Sequence, residues 1–286
     1  MDIAVLGMGR MGQAVARRLL GGGHPVIVWN RTPGQADDVV AAGAKEAGSI
    51  AEAVGAAEIV VTSLANDDAV RAVALGDGGV RASIGPDSVY ADASTVSPAL
   101  SEQLAASVSH FAAMPILGAP AAVEAGQATV LVGGDPAVVA RLDPVLATLA
   151  ETVCRFDRPA KAGFAKLANN LMLLSAVAAL AEAVAVARAG GLTDDEVRAL
   201  LGQSPMLAPG LRNRFEGVLT GDLEPWWSTA LGAKDAGLAV EAAQAAGVDL
   251  ALARVLQELY GEVAAVGDDD DIVAIANRYR SRRPSA

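Results

Sequence analysis

Lys166 stands in the stretch FAKLANNLML (164–173), which opens an almost wholly apolar run reaching Ala187. An ammonium among apolar side chains is costly unless it is paired or neutralised, so this position asks for a chemical reason. Only four of the 22 basic residues are lysines (Lys45, Lys161, Lys166 and Lys234), so ordinary surface charge in this chain is carried by arginine. A lysine amine, unlike a guanidinium, gives up its proton when desolvated. Lys166 and Asn170 are four residues apart and share one face of a helix, where Asn170 can orient the amine or hold a ligand oxygen without adding charge. The pair suits acid/base chemistry by a lysine whose pKa is drawn down by partial burial. Taken in isolation, a lysine at a helix end with its stem packed on the core would serve equally well.

A second chemistry-bearing stretch is Gly7-Met8-Gly9-Arg10-Met11-Gly12, a GxGxxG pattern. The first glycine allows the tight turn, the second lets a pyrophosphate approach the backbone, and the third lets the helix pack on the strand. Alone the pattern is weak. Here it follows a short apolar run (2–6), opens a segment with helical spacing (10–20) whose amide ends can receive phosphate, and precedes a second strand-like run (26–29). That second run ends Trp29-Asn30-Arg31-Thr32, without the acid that would accept from the ribose hydroxyls of NAD. Arg31 can pair with a 2′-phosphate, with Thr32 or Asn30 as hydrogen-bond donors, so NADP(H) is expected over NAD(H).

The elements that must hold these residues alternate. Strands are expected at 26–29, 58–64, 88–91, 109–117, 128–132 and about 152–156. Helices are expected at 35–41, 67–74, 97–108 and 136–149. Strands and helices at crossover spacing predict a parallel sheet covered on both faces, an α/β dinucleotide-binding (Rossmann) domain over residues 1–160. From Lys161 onward only helical patterns appear, punctuated by Gly190-Gly191, Ser204-Pro205, Pro209-Gly210 and Gly221. Residues 161–286 are therefore expected to be an all-α domain for substrate binding and dimerisation, beginning with a long interdomain helix at about 161–189. That helix approaches membrane-spanning length, but Asn169, Asn170 and Glu182 interrupt it and alanine dominates, so enclosure by protein on all sides is the expectation. The acidic stretch 267–271 suits the start of a last helix.

Length alone predicts about two units. The charge, 22 Lys and Arg against 33 Asp and Glu, excludes a nonspecific nucleic-acid or anionic-membrane binder. Cys154 is the single cysteine, which excludes an intramolecular disulfide or a multi-cysteine metal site, and no metal is expected. No secretory leader pattern precedes the first strand, and a cytoplasmic compartment is expected.

Several further motifs, in order, resemble the β-hydroxyacid dehydrogenases, which include 3-hydroxyisobutyrate dehydrogenases and glyoxylate and succinic semialdehyde reductases and are 6-phosphogluconate dehydrogenase-like. They are the glycine loop, Asn30-Arg31-Thr32, Leu64-Ala65, the DASTVSP segment at 92–98, GFAKLANN at 163–170 and KDAGLA at 234–239. The resemblance covers nearly the whole chain. It implies that Lys166 gives a proton to a carbonyl oxygen as hydride arrives from the nicotinamide, or takes it back in oxidation, with Asn170 beside it. It implies that Leu64, Ala65 and Thr95 line the cofactor, that Ser94 faces the substrate, and that Lys234 closes the site. Trp226 and Trp227 would wall the pocket or serve as ordinary core or interface residues.

One departure stands out. Where the family's substrate loop reads approximately DxPVSGG, this chain has Ala113-Met114-Pro115-Ile116-Leu117-Gly118-Ala119, with Leu117 in place of serine and Ala119 in place of the second glycine. The backbone amides of Leu117, Gly118 and Ala119 remain able to receive a carboxylate, but the loop is more apolar, which admits a larger aldehyde, ketone or imine. Three readings follow: an NADPH-dependent reductase of small aldehydes or oxo acids, an imine reductase or reductive aminase relative, and a non-catalytic NADPH-binding regulator. An apolar interdomain helix and an alanine-rich second domain also predict a homodimer.

Overall fold

The computed structural model describes residues 1–221, 226–267 and 270–280. The chain divides into two compact units, Met1–Lys166 and Leu167–Ala286.

The first unit is built on nine strands: β1 (Ile3–Leu6), β2 (Val26–Trp29), β3 (Lys45–Glu46), β4 (Ile59–Thr62), β5 (Val89–Asp92), β6 (Phe111–Ala113), β7 (Ile116–Leu117), β8 (Ala128–Gly134) and β9 (Ala150–Phe156). Their order is β3-β2-β1-β4-β5-β6-β8-β7, with β9 on β8. The first six therefore run 3-2-1-4-5-6, the order of a doubly wound dinucleotide-binding sheet, whose ligand crevice opens at the carboxyl ends where β1 and β4 diverge. The central strands β1, β4 and β5 are buried along their whole length because both faces are covered. Along β1, Ile3 and Val5 enter one core while Ala4 and Leu6 enter the other, the period of two expected for a strand.

The sheet departs from the expected all-parallel form at its far side, where β6 and β7 both pair antiparallel with β8. The single strand expected at 109–117 is two, broken at Met114 and Pro115; proline has no N–H to give the ladder. The helix expected at 136–149 is also two, Pro136–Arg141 and Asp143–Leu149, the second with Pro144 in its first turn. Short helices at Ile50–Gly55, Val80–Ser83 and Pro120–Glu124 lie in stretches to which the sequence pattern assigns no element.

Among the described residues the second unit has helices and one isolated bridge, Ser228 to Asp271. The helix Pro159–Ala189 is long and apolar enough to cross a membrane, with a mean hydropathy of 1.9 over its best window. Its residues Leu174, Val177, Leu180 and Val184 instead form the core of this unit with Val197, Phe215, Val218 and Tyr260. The Tyr260 hydroxyl donates to the Leu174 carbonyl at 3.0 Å. On the same helix Met172 and Val186 are 75% and 73% exposed in the single chain. Of the acidic stretch, 268–269 lie outside the described residues; Asp271 caps the 3-10 helix Ile272–Ala276, accepting from Val273 N. The tail 281–286 is likewise outside them.

Candidate active site

The glycine loop leaves β1 with Gly7 at φ +99°, a left-handed turn that favours glycine. A Cβ there would lie 2.4 Å from the Ser63 carbonyl oxygen, and one on Gly12 would lie 1.8 Å from that of Gly7. Gly9 is different: nothing lies within 4 Å of its missing Cβ, and no side chain caps the helix Arg10–Gly21 that it precedes. A helix N-terminus with uncapped amides behind open space suits a pyrophosphate, so this loop fits a dinucleotide. Asn30 has a part the sequence did not reveal. Its Oδ1 accepts from Met8 N at 2.9 Å and its Nδ2 donates to Thr32 O at 2.9 Å, so it braces the glycine loop and the turn after β2. Gln13 Nε2 adds a bond to Met8 O at 3.0 Å. Met8 is buried, whereas Arg10, Arg31 and Thr32 are exposed and Met11 is half-buried.

The carboxyl ends of β4 and β5 are tied by a buried polar cluster. Asp92, 2% exposed, accepts on Oδ1 from the Thr62 hydroxyl at 2.7 Å and from Ser94 N at 3.1 Å. Tyr90 OH lies 3.0 Å from Thr62 Oγ1. The Ser94 hydroxyl accepts from Leu64 N at 2.9 Å, so the Leu64-Ala65 loop and the Ser94-Thr95 loop are held together. Burial pushes the Asp92 carboxyl above its ordinary value, against the pull of hydrogen bonds from Ser94 and Thr62. Burial and the neighbouring Asp92 likewise raise the Tyr90 phenol.

Lys166 comes to this cluster from the first turns of the long helix. Its Nζ donates to the Ile116 carbonyl at 2.7 Å, and Lys166, Asp92, Ser94 and Thr95 all line one small cavity of about 10 Å³, room for about a single water. Next in the loop, Leu117 is half-buried in β7, Gly118 takes φ +135°, and Ala119 precedes the helix Pro120–Glu124.

In the second unit Asn170, Asp235 and Lys234 meet. Asn170 Nδ2 donates to Asp235 Oδ2 at 2.7 Å, and Lys234 Nζ lies 3.0 Å from Asp235 Oδ1. Asn170 and Asp235 are 5% and 4% exposed. Trp226 and Trp227 both give their backbone N–H to Asp271 Oδ2, and the Arg214 guanidinium lies 3.6 Å from the centre of the Trp226 ring. Arg214 and Asp271 are both buried, which makes this pair a structural clamp on the segment entering the helix Thr229–Ala245. Sequence reasoning missed Asp92 and Asp235 as organisers, though both lie inside motifs it singled out.

Residues 2–156 match the NAD binding domain of 6-phosphogluconate dehydrogenase, and residues 160–279 match the NAD-binding domain of NADP-dependent 3-hydroxyisobutyrate dehydrogenase. The chain belongs to the β-hydroxyacid dehydrogenase family. It is similar to the 3-hydroxyisobutyrate dehydrogenase of Pseudomonas aeruginosa, 30% identical over 98% of this chain and 99% of that one. The 3-sulfolactaldehyde reductase of Escherichia coli is 30% identical over 93% and 91%. A crystal structure of 3-hydroxyisobutyrate dehydrogenase from Salmonella typhimurium superposes with a TM-score of 0.88 at 27% identity, covering 97% of this chain and 99% of that one. This β-hydroxyacid dehydrogenase is thus an NAD(P)-binding oxidoreductase, with an α/β domain followed by an all-α one.

Proposed function

We propose that the protein is an NADPH-dependent reductase of small aldehydes or oxo acids, able to oxidise the hydroxyacid in reverse, with Lys166 as general acid. The observation that carries this reading is the 2.7 Å bond from Lys166 Nζ to the Ile116 carbonyl, which points the amine at the substrate loop beside Ser94 and Thr95. The cofactor would be held by Gly7, Met8, Gly9, Arg10, Met11 and Gly12, by Asn30, Arg31 and Thr32 at the adenosine end, and by Leu64, Ala65, Thr95 and Lys234 at the nicotinamide end. When bound, it supplies the hydride. Lys166 gives its proton to the carbonyl oxygen as that oxygen gains charge, and recovers one from water. Ser94, Leu117, Gly118, Ala119, Asn170 and Trp227 form the substrate wall. Residues 1–160 bind the cofactor, and 161–286 complete the substrate site and pair two copies; the exposed Met172 and Val186 support a homodimer.

Leu117 favours a second reading, an imine reductase acting on a more apolar substrate. NADPH oxidation measured across oxo acids, aldehydes and cyclic imines separates the two. Turnover of aldehydes or oxo acids is expected. Turnover of imines alone would replace the first reading with the second, and no turnover at all would leave an NADPH-binding regulator.

A further inference from the structure

We infer that Asp235 is a positioning residue that fixes which end of the Asn170 amide serves the reaction. This rests on the reductase reading above for its consequence, though not for its geometry. A carboxylate only accepts hydrogen bonds, so the group Asn170 turns toward Asp235 Oδ2 must be its NH2. The amide is thereby locked with its carbonyl oxygen as the atom offered elsewhere. An amide oxygen accepts from an ammonium or a hydroxyl, the two groups that exchange a proton in carbonyl reduction. The other carboxylate oxygen lies 3.0 Å from the Lys234 ammonium as an ion pair, so one buried acid meets two of the residues that the helical domain contributes to the proposed site. At 5% and 4% exposure, Asn170 and Asp235 make their bond where a competing water is scarce, and its loss is felt in full.

Asp235→Asn tests this with little change of shape. The new amide has one acceptor where the carboxylate had two. Turning its oxygen to Asn170 sets an NH2 against the Lys234 ammonium; turning it to Lys234 sets NH2 against NH2 and drives the Asn170 amide to flip. The readouts are single-turnover hydride transfer with saturating NADPH in wild type, D235N, N170A and the double variant, together with hydrogen exchange of the Asn170 side-chain amide in the absence of substrate. The expected result is a roughly ten- to hundredfold slower hydride-transfer step in D235N, read at saturating NADPH on protein that is still folded, together with a lower melting temperature from the lost buried bond. In the N170A background the same change should cost clearly less than in wild type, because the part of its effect that runs through Asn170 is already lost. Slow exchange of the Asn170 amide should be lost in D235N. Multiplicative losses in the double variant, or full rate in D235N, would overturn the inference. Wild type inactive on every carbonyl would reject the reductase reading, and fast amide exchange in wild type would reject the Asp235 lock independently.

Discussion

Replacing Lys166 separates catalysis from stability, and the structure sets both magnitudes. Lys166 makes a hydrogen bond from Nζ to Ile116 O at 2.7 Å and is only half-buried. Losing that bond in Lys166→Ala should cost about 1 kcal/mol, a melting-temperature drop of roughly 2–4 °C. Losing the proton donor should lower kcat for aldehyde reduction by about 100- to 10,000-fold, or ~2.7–5.5 kcal/mol at the barrier. Lys166→Arg sharpens the comparison. Its guanidinium can still donate to the Ile116 carbonyl but does not release a proton at working pH, so it should keep stability and share the activity loss. The assay is steady-state NADPH oxidation beside thermal unfolding and NADPH titration, with cofactor affinity unchanged in both variants. An alanine variant keeping more than a tenth of wild-type kcat, or an arginine variant that turns over normally, would refute the assignment of the proton to Lys166.

Arg31→Ala should raise the Michaelis constant for NADPH about tenfold or more and leave that for NADH nearly unchanged, measured by initial rates with each cofactor; equal effects on both would remove the 2′-phosphate partner. Gly12→Ala brings a Cβ to 1.8 Å from the Gly7 carbonyl oxygen, so it should abolish NADPH binding in a titration or lower the melting temperature by many degrees. For Asp92, burial holds the folded-state pKa above 3.8, so folding favours the protonated acid. That contribution is complete below about pH 3.8 and is lost as pH rises through the folded-state value. Asp92→Asn keeps an oxygen to accept from Thr62 and Ser94, so its melting temperature should fall less between about pH 4 and pH 7 than that of wild type; parallel curves would contradict the raised pKa.

The α/β domain and the cofactor loop were legible because their signals are local. A glycine turn between an apolar strand and a helix sits within a dozen residues, and backbone sterics fix the meaning of Gly7 and Gly12. What was not legible joins distant residues. Asn30 reaches Met8 only because β1 pairs in register with β2, Leu6 beside Trp29, a relation that the amide's type does not announce. Asp235 and Asn170 are 65 residues apart on different helices, so no periodicity links them. The break between β6 and β7 was masked because Phe111 to Leu117 is apolar throughout, and hydropathy does not register the missing N–H of Pro115. The antiparallel β8 was hidden for a related reason: a buried strand reads the same in either direction. The helices Ile50–Gly55 and Val80–Ser83 are too short to display a helical period.

In the proposed reaction hydride passes from NADPH to a carbonyl carbon while Lys166 protonates its oxygen. The enzyme mixed with NADPH deuterated at the transferable C4 position and an aldehyde or oxo acid should yield an alcohol carrying one deuterium on the former carbonyl carbon, seen by mass spectrometry, with Lys166→Ala forming it at least a hundredfold more slowly. Deuterium appearing only in amines made from imines, or an alcohol formed at the same rate without Lys166, would contradict it.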